Sequence, residues 1–212
     1  MIGRIWYVLT ALTVVTALAF HVAIAAEGDP QFASAAASVA NMFTYFTITS
    51  NVIVGVVSAL LASGRARGES WLSALCVAGL TAITITAAVF HVVLASAIPA
   101  LSGAPAVANT LVHTVVPTVF IAGWAAFGPR GTVHVRTVLL SLIYPVTWLA
   151  FTLIRGVLSD YYPYPFMDAT QIGYAQMALN VTLVAVLYVV LAVAFGAIDR
   201  ALAHRSSAAQ VP

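Results

Sequence analysis

Six apolar stretches, each long enough to cross a bilayer, constrain this chain more than any other feature. They run from about 5–26, 42–62, 71–98, 107–127, 134–157 and 174–198. About 20 apolar residues in a helix span the hydrocarbon core. Lipid offers no water to backbone N–H and C=O groups, so such segments must satisfy them internally, as helices do. The chain is therefore expected to be all-α: a six-transmembrane-helix bundle, one domain over residues 1–205, with a disordered tail at 206–212. Charged residues make up 7% of the 212 positions and there is no lysine. A soluble domain carries about 25%, so a water-facing coat cannot be built from this sequence.

The arginines set an orientation. Arg4, Arg65, Arg67, Arg130, Arg136, Arg200 and Arg205 fall on one side of a six-span arrangement, and Arg155 falls on the other. The positive-inside bias then predicts cytoplasmic N- and C-termini in a multi-pass cell-membrane protein. The first stretch has some signal-peptide character, ending in Ala23-Ile24-Ala25-Ala26. Its apolar run exceeds the usual length of roughly 7–15 residues, and the expectation is that it stays uncleaved. The single cysteine, Cys76, excludes a disulfide framework. The scattered arginines form no basic strip, which points away from nucleic acid. Oligomeric state is left open.

Polar residues inside spans are costly and usually face a cavity or the bundle interior. At about 1.5 Å rise per residue, the most polar residue of each span lies in the half nearer the outer surface. His21, Thr47 and Asn51, His91, His113, and Asn180 sit roughly 8–14 Å below their outer ends, and Arg155 sits near the end of its span. The matched depth predicts one polar pocket toward the outer leaflet. Thr44, Thr47 and Asn51 follow i, i+3, i+7 spacing, one face of a helix. Pro117 comes four residues after His113, so it cannot donate to that residue's carbonyl.

Several chemistries can use this set. A threonine hydroxyl becomes a nucleophile when a base takes its proton, and a histidine titrating near neutrality is the usual base. Thr47 and His113 lie at similar depth, with Asn51, Asn180 or His91 as potential oxyanion donors. Thr44 and Thr49 compete with Thr47 for the nucleophile's place. Alternatively, His21, His91 and His113 suit a three-histidine metal site with an open position. A third class is a non-catalytic lipid-binding or transport protein.

Three segments carry a family resemblance. They are Phe43-Thr44-Tyr45-Phe46-Thr47-Ile48-Thr49-Ser50-Asn51, then Asn109-Thr110-Leu111-Val112-His113-Thr114-Val115-Val116-Pro117, then Tyr162-Pro163-Tyr164-Pro165-Phe166-Met167-Asp168. Together they resemble the androgen-induced (ADTRP-like) family of integral membrane proteins and its bacterial six-span relatives. Animal members of that family are threonine hydrolases of fatty-acid esters of hydroxy fatty acids. The resemblance implies Thr47 as nucleophile and His113 as base, with no cofactor, acting on a membrane lipid or fatty-acid ester. Tyr164 falls in the motif after the fifth span. On this reading Arg155 binds a lipid carboxylate as a bidentate partner, with Tyr164 and Thr44 also at the substrate site.

Overall fold

The computed structural model describes residues 1–64 and 70–208, with side chains described up to 204. Arg65, Arg67, the Arg205 side chain and positions 209–212 of the expected tail lie outside the described residues. Every regular element among the described residues is helical. Six helices are long and apolar enough to span a membrane: Ile2–Ala26, Phe46–Ser63, Ser70–Leu94, Gly103–Phe127, Val135–Ser159 and Tyr174–His204.

These spans divide into finer elements. The first is α1 (Ile2–Ala26), followed by a short helix α2 (Ala35–Met42) and the second span α3 (Phe46–Ser63). The third is α4 (Ser70–Val89), ending in a π-helical turn at Phe90–Leu94. The fourth consists of α5 (Gly103–Thr110), a second π turn at Leu111–Val115, and α6 (Val116–Phe127). The fifth breaks at Leu142 into α7 (Val135–Ser141) and α8 (Ile143–Ser159). After it come a 3₁₀ turn (Pro165–Met167), α9 (Ala169–Ile172) and the sixth span, α10 (Tyr174–Ala208). Helix α10 continues through Ser206–Ala208, part of the segment expected to be a disordered tail.

The second span differs from expectation in a way that matters. Its predicted start near Met42 falls at the end of α2, and α3 begins only at Phe46. Thr44 lies in the turn between the two helices and does not share a face of α3 with Thr47 and Asn51. Ser34 starts α2 by accepting the Ala37 amide at its N-cap, a common way to satisfy an orphan donor of the first turn.

The third span is the hub. More than half of its apolar window is buried (56%), against 17% for the first and fifth spans. Its helix packs against α3, α6, α7 and α10. Val54, Val57, Leu61, Leu80, Ile83, Val116 and Phe120 form the main core and are almost fully buried. At one end of the bundle, Asp199 is completely buried and accepts the backbone amides of Gly131, Thr132 and Val133 at 3.1, 2.8 and 2.9 Å. Gly131 turns these amides inward with φ of +66°, a left-handed conformation that glycine adopts without steric cost. This ties the loop before α7 to α10. The opposite end carries α2, Arg155 and the Tyr162–Met167 segment.

Candidate active site

Thr47 occupies the first turn of α3, two residues after the N-cap Tyr45. Its backbone N–H therefore has no partner within the helix. It donates to the Tyr164 hydroxyl at 3.2 Å, and the same phenol lies 3.3 Å from Thr47 Oγ1. Tyr164 is buried, and burial raises its pKa, so the phenol keeps its proton. Its oxygen already accepts the amide, which leaves its own hydrogen free to donate toward Thr47 Oγ1 or into the cavity.

His113 faces Thr47 from the fourth span, with Nε2 3.4 Å from Thr47 Oγ1. Its other nitrogen, Nδ1, lies 3.1 Å from the Asn109 carbonyl. A carbonyl can only accept, so Nδ1 carries the proton, and Nε2 presents a lone pair toward the threonine hydroxyl. Phe90 stacks on the imidazole with ring centroids 4.0 Å apart and planes 19° from parallel, which fixes the ring.

Phe90 and His113 each belong to one of the two π-helical turns found among the described residues. Such turns carry an extra residue and re-aim the side chains within them, and they are common at functional sites. The one holding His113 ends just before Pro117, whose missing N–H interrupts the hydrogen-bond ladder.

Asn51 is completely buried beneath this pair. Its Nδ2 donates to the Thr47 carbonyl at 2.7 Å and to the Val112 carbonyl at 3.3 Å. Both amide hydrogens are thus committed to a brace between α3 and the fourth span. Its Oδ1 is buried with no hydrogen-bond partner in the structure.

The three threonines separate clearly. Thr49 directs its hydroxyl to Tyr144 at 2.8 Å and to backbone carbonyls of its own helix. The Thr44 hydroxyl donates to the Asn41 carbonyl at 2.7 Å and accepts from Arg155 Nη1 at 2.8 Å. Thr47 is the one placed against an imidazole.

Two cavities meet at this point. The larger, about 660 Å³, is lined by Thr47, His113, His21, Asn109, Tyr45 and Tyr164, with Glu27 and Asp29 toward its mouth. The other is a narrow apolar crevice of about 100 Å³ between Phe46, Ile85, Trp148, Leu149, Val184 and Tyr188. Thr47 and Tyr164 line both.

The structure therefore brings Thr47, His113, His21 and Tyr164 to one cavity and places the other candidates elsewhere. His91 is exposed, with Nε2 3.1 Å from Thr114 Oγ1. Asn180 donates to the Phe166 carbonyl at 2.8 Å and so holds the 3₁₀ turn behind Tyr164. Arg155 lines a different cavity from Thr47. Among the described residues, no group of three or more His, Cys, Asp or Glu is placed to hold a metal ion.

Sequence reasoning missed Asn41, Asn109, Phe90 and Asp199. The signal for Asn41 was an amide at the end of a short segment with its own N-cap serine. Asn109 acts through its backbone carbonyl, which no side-chain pattern records.

Comparison with protein-family models, characterised proteins and solved structures found no match.

Proposed function

We propose that this protein is an intramembrane threonine hydrolase of lipid esters, with Thr47 as nucleophile and His113 as general base. The observation that carries this reading is the pairing of Thr47 Oγ1 with an imidazole whose opposite nitrogen is fixed on the Asn109 carbonyl. It agrees with what the resemblance to the androgen-induced family implies. The protein would sit in the cell membrane with both termini cytoplasmic and the larger cavity toward the outer leaflet, as the arginine distribution suggests.

The chemistry follows from the geometry. Thr47 Oγ1 attacks the acyl carbonyl carbon while its proton passes to His113 Nε2. The 3.4 Å separation is long for a hydrogen bond, and catalytic contacts commonly tighten when substrate binds. The developing oxyanion is met by the Tyr164 O–H, whose oxygen accepts the Thr47 N–H, and the N-terminus of α3 adds its positive dipole end. Collapse of the tetrahedral adduct breaks the ester C–O bond, and the proton on Nε2 goes to the departing alkoxide. Water, deprotonated by His113, then attacks the acyl-threonine. The products are a fatty acid, an alcohol and the free hydroxyl of Thr47. The Asn109 carbonyl orients the imidazole throughout, in the place a carboxylate takes in a triad.

The cavities suit an ester with two unlike arms. Apolar walls in the crevice fit acyl methylenes, and the mixed lining of the larger chamber fits the alcohol portion and water. The test is labelling of the purified protein with a fluorophosphonate probe. Wild-type protein is expected to label and Thr47→Ala is not. Equal labelling of both would remove Thr47 as nucleophile, and no labelling of either would leave lipid binding without catalysis as the reading.

A further inference from the structure

We propose that the cavity beside Arg155 binds the anionic headgroup of a membrane lipid, at a site separate from the one holding Thr47. This cavity, about 510 Å³, is lined by Gln31, Phe32, Phe151, Ile154, Arg155, Leu158, Ser159 and Tyr161. Neither Thr47 nor His113 borders it.

Arg155 is held firmly from behind. Nη1 donates to Thr44 Oγ1 at 2.8 Å and Nη2 to Asn41 Oδ1 at 2.7 Å. The guanidinium lies over the Tyr161 ring, 4.3 Å from its centroid. Asn41 Nδ2 in turn donates to the Tyr161 hydroxyl at 2.9 Å, which closes the network. Both acceptors are neutral, so this network positions the positive charge without cancelling it. A guanidinium offers five N–H donors in a planar fork, so donors remain for an oxyanion. Preorganised in this way, it is suited to bidentate recognition of a phosphate or carboxylate.

The walls indicate a lipid source for that anion. Phe151, Ile154 and Leu158 are 50%, 62% and 80% exposed on the fifth span, an apolar face that a membrane helix turns to acyl chains. Gln31 and Ser159 supply polar lining, and Arg155 sits four residues before the helix ends at Ser159. Hydrocarbon on one side and polar groups on the other describe the boundary where lipid headgroups lie. Two acyl chains can then remain in the bilayer while the phosphate docks on Arg155.

The test uses the purified full-length protein, delipidated in detergent and offered equal amounts of phosphatidylglycerol and phosphatidylcholine, with retained lipid counted by native mass spectrometry. Wild-type protein is expected to retain the anionic lipid about tenfold over the zwitterionic one, the scale of one charge-assisted hydrogen-bonded contact. Arg155→Gln should abolish the preference. Ile154→Trp, which fills the cavity without touching the Arg155 network, should do the same. Thr47→Ala should keep it, which separates this site from the hydrolase reading. Equal retention of the two lipids by wild-type protein overturns the proposal, as does an undiminished preference in Ile154→Trp. Displacement of the lipid by inorganic phosphate at equal concentration would assign the site to a soluble anion and overturn the lipid assignment.

Discussion

The side-chain amide of Asn51 reaches from α3 to the carbonyl of Val112, 3.3 Å away and one residue before the imidazole that faces Thr47. The same nitrogen holds the Thr47 carbonyl at 2.7 Å. One buried amide therefore sets the spacing between Thr47 and His113, the proposed nucleophile and base. Asn51→Ala should cost about 1–2 kcal/mol of stability. It should also reduce ester turnover by about 10²-fold, since small misplacements of reacting groups are costly. Thermal unfolding in detergent, read beside turnover, separates the two effects. Unchanged turnover in a folded Asn51→Ala protein removes the positioning role.

Thr47 and His113 are expected to act as a unit. Thr47→Ala should abolish ester hydrolysis and probe labelling, while Thr47→Ser should restore labelling. His113→Gln should slow turnover by about 10²–10⁴-fold, the usual contribution of a general base. Hydrolysis that survives both Thr47→Ala and His113→Gln in full would place the chemistry elsewhere.

Tyr164→Phe isolates the phenol hydroxyl. The ring packs edge-on against Tyr45 and stacks on Phe166, so removing one oxygen leaves those aromatic contacts in place. Turnover should fall about 10²-fold, as for loss of one oxyanion donor. A change in KM with kcat preserved would instead make the hydroxyl a substrate contact.

Asp199 meets three backbone amides in a fully buried setting. Asp199→Ala should cost about 3 kcal/mol by leaving those donors unpaired. Asp199→Asn, which retains one acceptor oxygen, should cost less. The melting temperatures of the two variants in detergent check the order.

Asp168 gives a pH dependence with a defined sign. Its carboxylate accepts from the Thr170 hydroxyl at 2.5 Å, the Thr170 amide at 3.0 Å and the Gln171 side chain at 2.5 Å. The Thr170 hydroxyl is the largest of the influences holding its pKa below the ordinary 3.8. A pKa lower in the folded than in the unfolded state means the stabilising contribution is full above the unfolded value. That contribution is lost as pH falls through the folded one. Between pH 5 and pH 3 the wild-type melting temperature should therefore drop more than that of Asp168→Asn. Parallel curves would show that this carboxylate does not stabilise the segment carrying Tyr164.

Much of the architecture was legible because lipid enforces it. The six spans follow from apolar run length alone, and their ends differ by a few residues wherever a cap or turn intervenes. The difference that bears on the site is at Met42–Tyr45, where the apolar run continues but the helix does not. That break puts Thr47 in the first turn of α3, where its amide has no partner within the helix and donates to Tyr164 instead. Thr44, Thr47 and Asn51 read as one helical face, yet Thr44 belongs to the Arg155 network. Asn51, expected as an oxyanion donor, has both amide hydrogens on carbonyls.

From the sequence by itself came the helical spans and the position of each polar residue along its helix, because chain rise and the length of an apolar run depend only on local order. Which way each helix turns about its axis was decided by packing among spans distant in sequence. The π turns at Phe90 and His113, the brace at Asn51 and the return of Tyr164 onto Thr47 all depend on such long-range contacts, and a rotation of one residue about a helix moves a side chain by about 100°.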